Sequence, residues 1–154
     1  RERADLILLA GDFNEPSHLD WTDATCGMWD HNGCVVPWDC SVRLYDAGFR
    51  DVYRVLHPDP ATHPGFTYPA DNPATSGEKL TWAPDADERD RIDFIYYLSG
   101  GAFVPKRVEV VGPSSSIVRS ERVRETGEDA FIEPLGVWPT DHKGVLATFA
   151  LGGE

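Results

Sequence analysis

Five polar residues of this chain stand where apolar segments begin or end, and their types suit one kind of chemistry. The run Gly11-Asp12-Phe13-Asn14-Glu15-Pro16 follows the apolar segment Leu6 to Ala10, and Pro139-Thr140-Asp141-His142 precedes the apolar segment that starts at Gly144. Between them, Arg91-Ile92-Asp93 leads into Phe94-Ile95-Tyr96-Tyr97, whose β-branched and aromatic residues read as a strand. Carboxylates, an amide and an imidazole gathered at strand ends are the parts of a metal-assisted, phosphoester-cleaving site. Asp12 and Asn14 lie two residues apart, so in extended chain they point to one side while Phe13 packs on the other. Asp93 sits among apolar neighbours, a costly placement for a carboxylate without a partner, and His142 can supply that partner. Such a pairing fixes the imidazole tautomer and makes the ring a positioned acid.

These residues need elements to hold them. Leu6 to Ala10 is a short, continuous apolar run, the pattern of a strand buried on both faces, and Pro16 starts the loop after it. Residues Val35 to Phe49 place Trp38, Val42 and Tyr45 at helical spacing, with Pro37 near the start and Gly48 as a stop, which predicts a helix covering one face of the sheet. From Pro58 to Pro84 the chain is rich in Pro, Gly, Thr, Ser and Asn and reads as a surface excursion; Pro113 to Pro134 reads as a second, its charges forming a solvated face. Asp85, Asp87, Glu88 and Asp90 resemble a calcium loop in composition alone, lacking the central Gly and bidentate Glu, and read as a solvated turn. His18 and Trp21 follow the first acidic run directly and are expected at the rim of the same site: Trp21 either stacks on a substrate ring or covers the loop, and His18 either contacts phosphate or is a surface residue. Phe66, Tyr68 and Trp82 are read as packing aromatics, one of them facing the cleft.

Composition bounds the rest. The 154 residues fit a single domain spanning 1–154, 41% hydrophobic and 26% charged, with no internal repeat, no dividing linker and no transmembrane segment. Acidic residues outnumber basic ones 26 to 14, a net charge of -12, whereas affinity for nucleic acid rests on Lys and Arg neutralising phosphates. The balance favours a small phosphodiester, phosphomonoester or lipid headgroup over a nucleic acid, and suits an acidic body that attracts divalent cations. Three cysteines, Cys26, Cys34 and Cys40, leave three states open: free thiols, a Cys26–Cys34 disulfide, or zinc held with His31.

In this order, G-D-F-N-E-P, G-F-T-Y-P from Gly65 to Pro69, R-I-D-F-I and P-T-D-H-K-G-V resemble the C-terminal half of the endonuclease/exonuclease/phosphatase superfamily, the DNase I-like metal-dependent phosphoesterases. Each run is weak alone; the ordered set is specific. The resemblance implies an α+β fold that is half of a four-layered α/β/β/α sandwich, its sheets mainly antiparallel or mixed with a covering helix. By matching positions it implies that Asp12 activates or orients the attacking water, that Asn14 holds the scissile phosphate, and that Asp93 pairs with His142. It assigns Asp141, with Asp12, to a divalent metal, Mg²⁺ or Mn²⁺ by the preference of hard cations for oxygen ligands. Thr140 stands where the family more often has Ser. The family's first half contributes a metal-binding glutamate, and only ten residues precede Gly11, so the chain is expected to be the C-terminal portion of one domain, its partner the missing N-terminal half. The activity expected is hydrolysis of a phosphoester, with a nuclease, or a non-catalytic binding domain that keeps the fold, as the alternatives.

Overall fold

A computed structural model describes residues 6–152 of the chain, and the first five residues of the sequence reading lie outside it. The fold is α+β, built mostly from antiparallel strands with two short helices. Strand β1 (Leu6–Asp12) pairs antiparallel with β3 (Asp93–Ser99), which pairs on its other side with the two-residue β2 (Arg50–Asp51). A second sheet has β4 (Phe103–Val111) at its centre, antiparallel to β8 (Gly144–Leu151) and parallel to β7 (Phe131–Ile132), with a register shift between Pro105 and Arg107. Strands β5 (Ser115–Val118) and β6 (Glu121–Arg124) form a separate hairpin.

The core forms where the two three-stranded sheets meet helix α2 (Val52–Leu56). Val52, Tyr53, Val108 and Val110 are its buried centre, and Ile95 and Tyr97 of β3 approach Val145, Ala147 and Phe149 of β8 around it. Both strands alternate as a half-buried strand should. On β3 the parity places Asp93 on the face of Ile95 and Tyr97, the face turned toward β8, while Phe94 and Tyr96 pack with Phe13 on the other. An acidic residue at the end of an inter-sheet face is thereby aimed at the segment that leads into β8. Among the described residues no helix is long and apolar enough to cross a membrane.

Four expectations are corrected. First, β1 is not buried on both faces: it has one neighbouring strand among the described residues, and Ile7, Leu8 and Leu9 are 50%, 51% and 40% exposed. Second, the helix α1 (Asp39–Asp46) starts after Pro37 and ends at Gly48, whose positive φ of 94° closes the C-terminus, but it buries only Ser41; α2 is the helix that covers the sheets, because it carries the apolar pair Val52-Tyr53. Third, the excursion from Pro58 to Pro84 is not all surface: Phe66, Thr67, Tyr68 and Ala70 are buried, with Gly65 turning the chain inward at φ 66°. A Cβ on Gly65 would lie 2.6 Å from Tyr53 Cε1, so this turn accepts no side chain. Fourth, Pro113 to Pro134 contains the β5–β6 hairpin, with Ser116 and Ile117 buried. Its turn residues Arg119 and Ser120 have φ of 50° and 65°, the two-positive-φ pattern of a type I′ turn made without Asn-Gly.

Of the acidic turn, only Asp85 is solvated as expected. Asp87 is buried and grips Arg89, Glu88 accepts the amides of Trp82 and Ala83, and Asp90 accepts Trp21 Nε1–H at 2.9 Å. Burial pushes the Asp90 carboxyl up to about 7, against the Trp21 hydrogen bond, with Asp20, Asp87 and Glu88 adding to the rise.

Candidate functional site

The approach to β3 is anchored before it reaches Asp93. Arg91, the first residue of R-I-D, is buried, with Nη2 2.8 Å from Asp20 and 2.6 Å from Asp51. Asp51 also caps α2 by accepting the Tyr53 amide at 2.9 Å. Asp20 takes Arg54 as well. Burial alone would raise the Asp20 carboxyl, but Arg91 and Arg54 outweigh it and hold the group below the usual carboxylate range. One buried network of two arginines and two aspartates thus ties the loop after β1, the start of α2 and the approach to β3 together. Breaking either half would strand an unpaired charge in the interior.

Thr67 of the G-F-T-Y-P run is the second anchor. Its buried Oγ1 accepts the amides of Ile92 and Asp93, both at 3.1 Å, and its carbonyl oxygen accepts the Lys143 amide at 2.6 Å. A single residue therefore joins the segment carrying Asp93 to the segment carrying His142. This bridge was missed in the sequence, where Gly65 to Pro69 read as an aromatic stretch and the hydroxyl had no assigned role.

On these anchors the reactive groups converge. His142 Nδ1 lies 3.0 Å from Asp93 Oδ2, and the Tyr68 ring packs on the His142 ring at 5.0 Å between centroids. Burial pushes the Asp93 carboxyl up; hydrogen bonds to His142 and Thr67 oppose that, and Asp12 adds to it. Asp12 is the residue paired with Asp93 across β1 and β3. Ligand atoms of Asp12, Asp93 and His142 lie within 4.8 Å of one another, which is close enough to share an ion; among the described residues they are the group of acidic, His and Cys side chains that is. Asp12 and Asp93 line a cavity of about 240 Å³ with Gly11, Gly144 and Val145.

Asn14 adopts φ 50°, a left-handed conformation Asn tolerates better than most residues. This folds it back so that its amide N–H and Nδ2 donate to Asp12 Oδ1 and Oδ2 at 2.8 and 3.0 Å. Asp12 is thus oriented by its neighbour yet stays exposed to solvent.

Asp141 lies apart from the Asp12–Asp93–His142 group. Its Oδ1 accepts Thr140 Oγ1–H at 3.3 Å, and it lines a neighbouring cleft with Tyr68 and Trp82. His18 and Trp21, expected at the rim, do not line the cavity at Asp12. His18 Nδ1 meets Ser41 Oγ of α1 at 2.8 Å, and burial holds the ring below its ordinary pKa against the pull of Asp20, Asp51 and Asp46. Trp21 stacks on His31 at 3.9 Å and gives its N–H to Asp90, so of its two readings the structure realises the covering one. Phe66 and Tyr68 are buried, whereas Trp82 is 89% exposed, which corrects its reading as a packing residue. Cys26, Cys34 and Cys40 are free thiols, and with His31 they form no metal-holding group among the described residues.

One residue of the P-T-D-H-K-G-V run had no role in the sequence reading. Lys143 is buried, donates from Nζ to Ser116 Oγ at 2.8 Å and lies 4.0 Å from Glu125, which fastens the His142 segment to the β5–β6 hairpin. Burial lowers its pKa to about 8 despite the nearby carboxylates.

Over 143 residues the chain is 30% identical to an uncharacterized protein of Caenorhabditis elegans, in an alignment that takes in 93% of this chain and 40% of that protein. The chain therefore spans about two fifths of the length of the curated relative it matches. No family model matches the chain, and no solved structure matches it significantly.

Proposed function

We propose that this chain is the C-terminal portion of a metal-dependent phosphoesterase domain that resembles the endonuclease/exonuclease/phosphatase superfamily, a sandwich of four α/β/β/α layers when complete. The single observation that carries the reading is the convergence of Asp12, Asp93 and His142, from three segments distant in sequence, with ligand atoms within 4.8 Å.

The donor set suits a divalent cation. Asp12 offers exposed carboxylate oxygens, while Asp93 and His142 each commit one atom to the other. Carboxylate oxygens fit Mg²⁺ or Mn²⁺, and Mg²⁺ is commonly held by one or two carboxylates with water and substrate oxygens completing the shell. Asp12 would hold the cation with carboxylates beyond this chain, while Asp141, which the resemblance also assigns to the metal, lies outside this group. Once bound, it would neutralise charge on the phosphoryl oxygens.

Hydrolysis forms a bond from water oxygen to phosphorus and breaks the bond from phosphorus to the leaving oxygen. Asp12, fixed by two hydrogen bonds from Asn14, orients the water and takes its proton. Asn14 also reaches a phosphate oxygen, and the Asp93–His142 pair stabilises charge on the phosphoryl group or the leaving oxygen, which leaves with a proton. The net acidic surface, -12 overall, favours a small phosphoester over a polyanion.

The test is Mg²⁺-dependent hydrolysis of bis(4-nitrophenyl) phosphate by the full-length protein. Asp12→Asn and His142→Asn should each lower turnover by at least about 10²-fold, the lower end for positioned acid–base groups, with folding retained. Turnover within about threefold of the parent in both variants, well short of such a positioned group's contribution, would contradict the assignment.

A further inference from the structure

Beside the Asp12–Asp93–His142 group lies a second cleft, of about 260 Å³, lined by Tyr68, Lys79, Leu80, Thr81, Trp82 and Asp141. Tyr68 is the wall shared with the site, since its ring packs on His142. A group held in this cleft therefore lies beside His142, across the Tyr68 ring.

The lining has an unusual division of labour. Trp82 is 89% exposed and makes no ring contact among the described residues. Its backbone is nevertheless held: Glu88 accepts the Trp82 amide at 2.8 Å and the Ala83 amide at 3.0 Å, and the same carboxylate lies 3.4 Å from the Tyr68 hydroxyl. The backbone under the indole is thus held, and the π-face stays open. Lys79 is exposed and has no carboxylate partner among the described residues, although acidic residues outnumber basic ones 26 to 14 in the chain.

An open aromatic face beside a free cation describes a receptor for a planar, polar ring attached to an anionic group. Base–aromatic stacking is tolerant of which base is bound because every base presents a π-face. A lipid headgroup or sugar phosphate has no planar aromatic ring to stack there, and a nucleic-acid polymer requires a run of cations that one lysine does not supply. Resting on the phosphoesterase reading for the identity of the neighbouring site, we propose that the substrate is a small nucleotide-type phosphoester, its heterocycle stacked on Trp82 and its anionic group met by Lys79.

The experiment measures binding and needs no turnover. Adenosine 5′-monophosphate and ribose 5-phosphate are titrated calorimetrically into the full-length protein with Mg²⁺ present. The nucleotide should bind at least about 10-fold more tightly, within the range of one stacked base. Trp82→Ala should bring the two ligands together, Trp82→Phe should keep part of the preference, and Lys79→Ala should weaken both. Equal binding of the two ligands, no measurable nucleotide binding, or a preference that survives Trp82→Ala would overturn the proposal. A protein that hydrolyses bis(4-nitrophenyl) phosphate and shows no ring preference overturns the nucleotide cleft alone. One that prefers the nucleotide and hydrolyses no phosphoester supports the cleft and defeats the phosphoesterase reading.

Discussion

Replacing Thr67 by Val tests whether one hydroxyl holds the site together. The two side chains have nearly the same shape, so packing changes little, but Val cannot accept the amides of Ile92 and Asp93 that now lie 3.1 Å from Oγ1. Thr67 is fully buried, and water does not reach its place without rearrangement. Leaving two buried N–H groups unsatisfied costs about 1–3 kcal/mol each, hence about 2–6 kcal/mol together. That is a large share of the roughly 5–15 kcal/mol by which a domain is stable. Urea denaturation followed by tryptophan fluorescence should show a midpoint lowered by about 1–3 M, taking a slope of about 1–3 kcal/mol per molar urea. Thr67→Ser keeps the acceptor and removes one methyl, about 0.8 kcal/mol of burial, so it should fall much nearer the parent. Because the same hydroxyl bonds Asp93, Thr67→Val should also lower phosphoesterase turnover in the full-length protein more than Thr67→Ser does. A Val variant within about 0.5 kcal/mol of the parent, or a Ser variant as damaged as Val, would refute the bridge, since both outcomes lie outside what two orphaned amides allow.

Gly65→Ala should destabilise the chain by about 1–3 kcal/mol or more, because a left-handed φ of 66° is combined with a 2.6 Å approach to the Tyr53 ring; thermal melting checks this, and an unchanged midpoint would contradict it. Asp90→Asn keeps the acceptor for Trp21 Nε1–H and removes the charge. The folded-state pKa of Asp90 is raised from 3.8 to about 7, so the contribution of its carboxyl is fully present below about 3.8 and is lost as pH rises through 7. The Asn variant should therefore gain on the parent between pH 4 and 7 and hold that gain above it, by at most about 4 kcal/mol from 1.36 kcal/mol per unit; parallel stability curves across that range would sink the argument. Arg91→Met should be among the most damaging single changes, costing about 3–5 kcal/mol by leaving Asp20 and Asp51 charged and buried with one arginine between them, and a soluble variant of parental stability would remove the network from the account.

Features that depend on neighbours along the chain are legible in residue order alone. The β-branched and aromatic residues from Phe94 to Tyr97 mark β3, and Pro37 and Gly48 bracket α1; the contact of Asn14 with Asp12 was not readable this way, since it comes from a left-handed Asn14 and not from extended chain. The residues of the candidate site were therefore legible as types and as strand-end positions. Burial was not, because it depends on what packs against an element. The apolar run of β1 carries the pattern of a central strand, yet it has one neighbouring strand and stands half exposed. The Pro- and Gly-rich stretch around Thr67 carries the pattern of a surface loop, yet it passes through the interior, since its hydroxyl and carbonyl satisfy amides of two other segments. The hairpin turn at Arg119-Ser120 has no Asn-Gly to announce it, and tertiary contacts such as Arg119 with Asp30 hold it instead. Lys143 reads as one more charge beside His142, but the fold buries it against Ser116, and the exposure of Trp82 follows from a loop held by Glu88 with nothing packed over the indole among the described residues. Local pattern encodes which groups can do chemistry; only the packing of segments far apart in the chain decides that Asp12, Asp93 and His142 meet, because long-range hydrogen bonds and buried ion pairs set those distances.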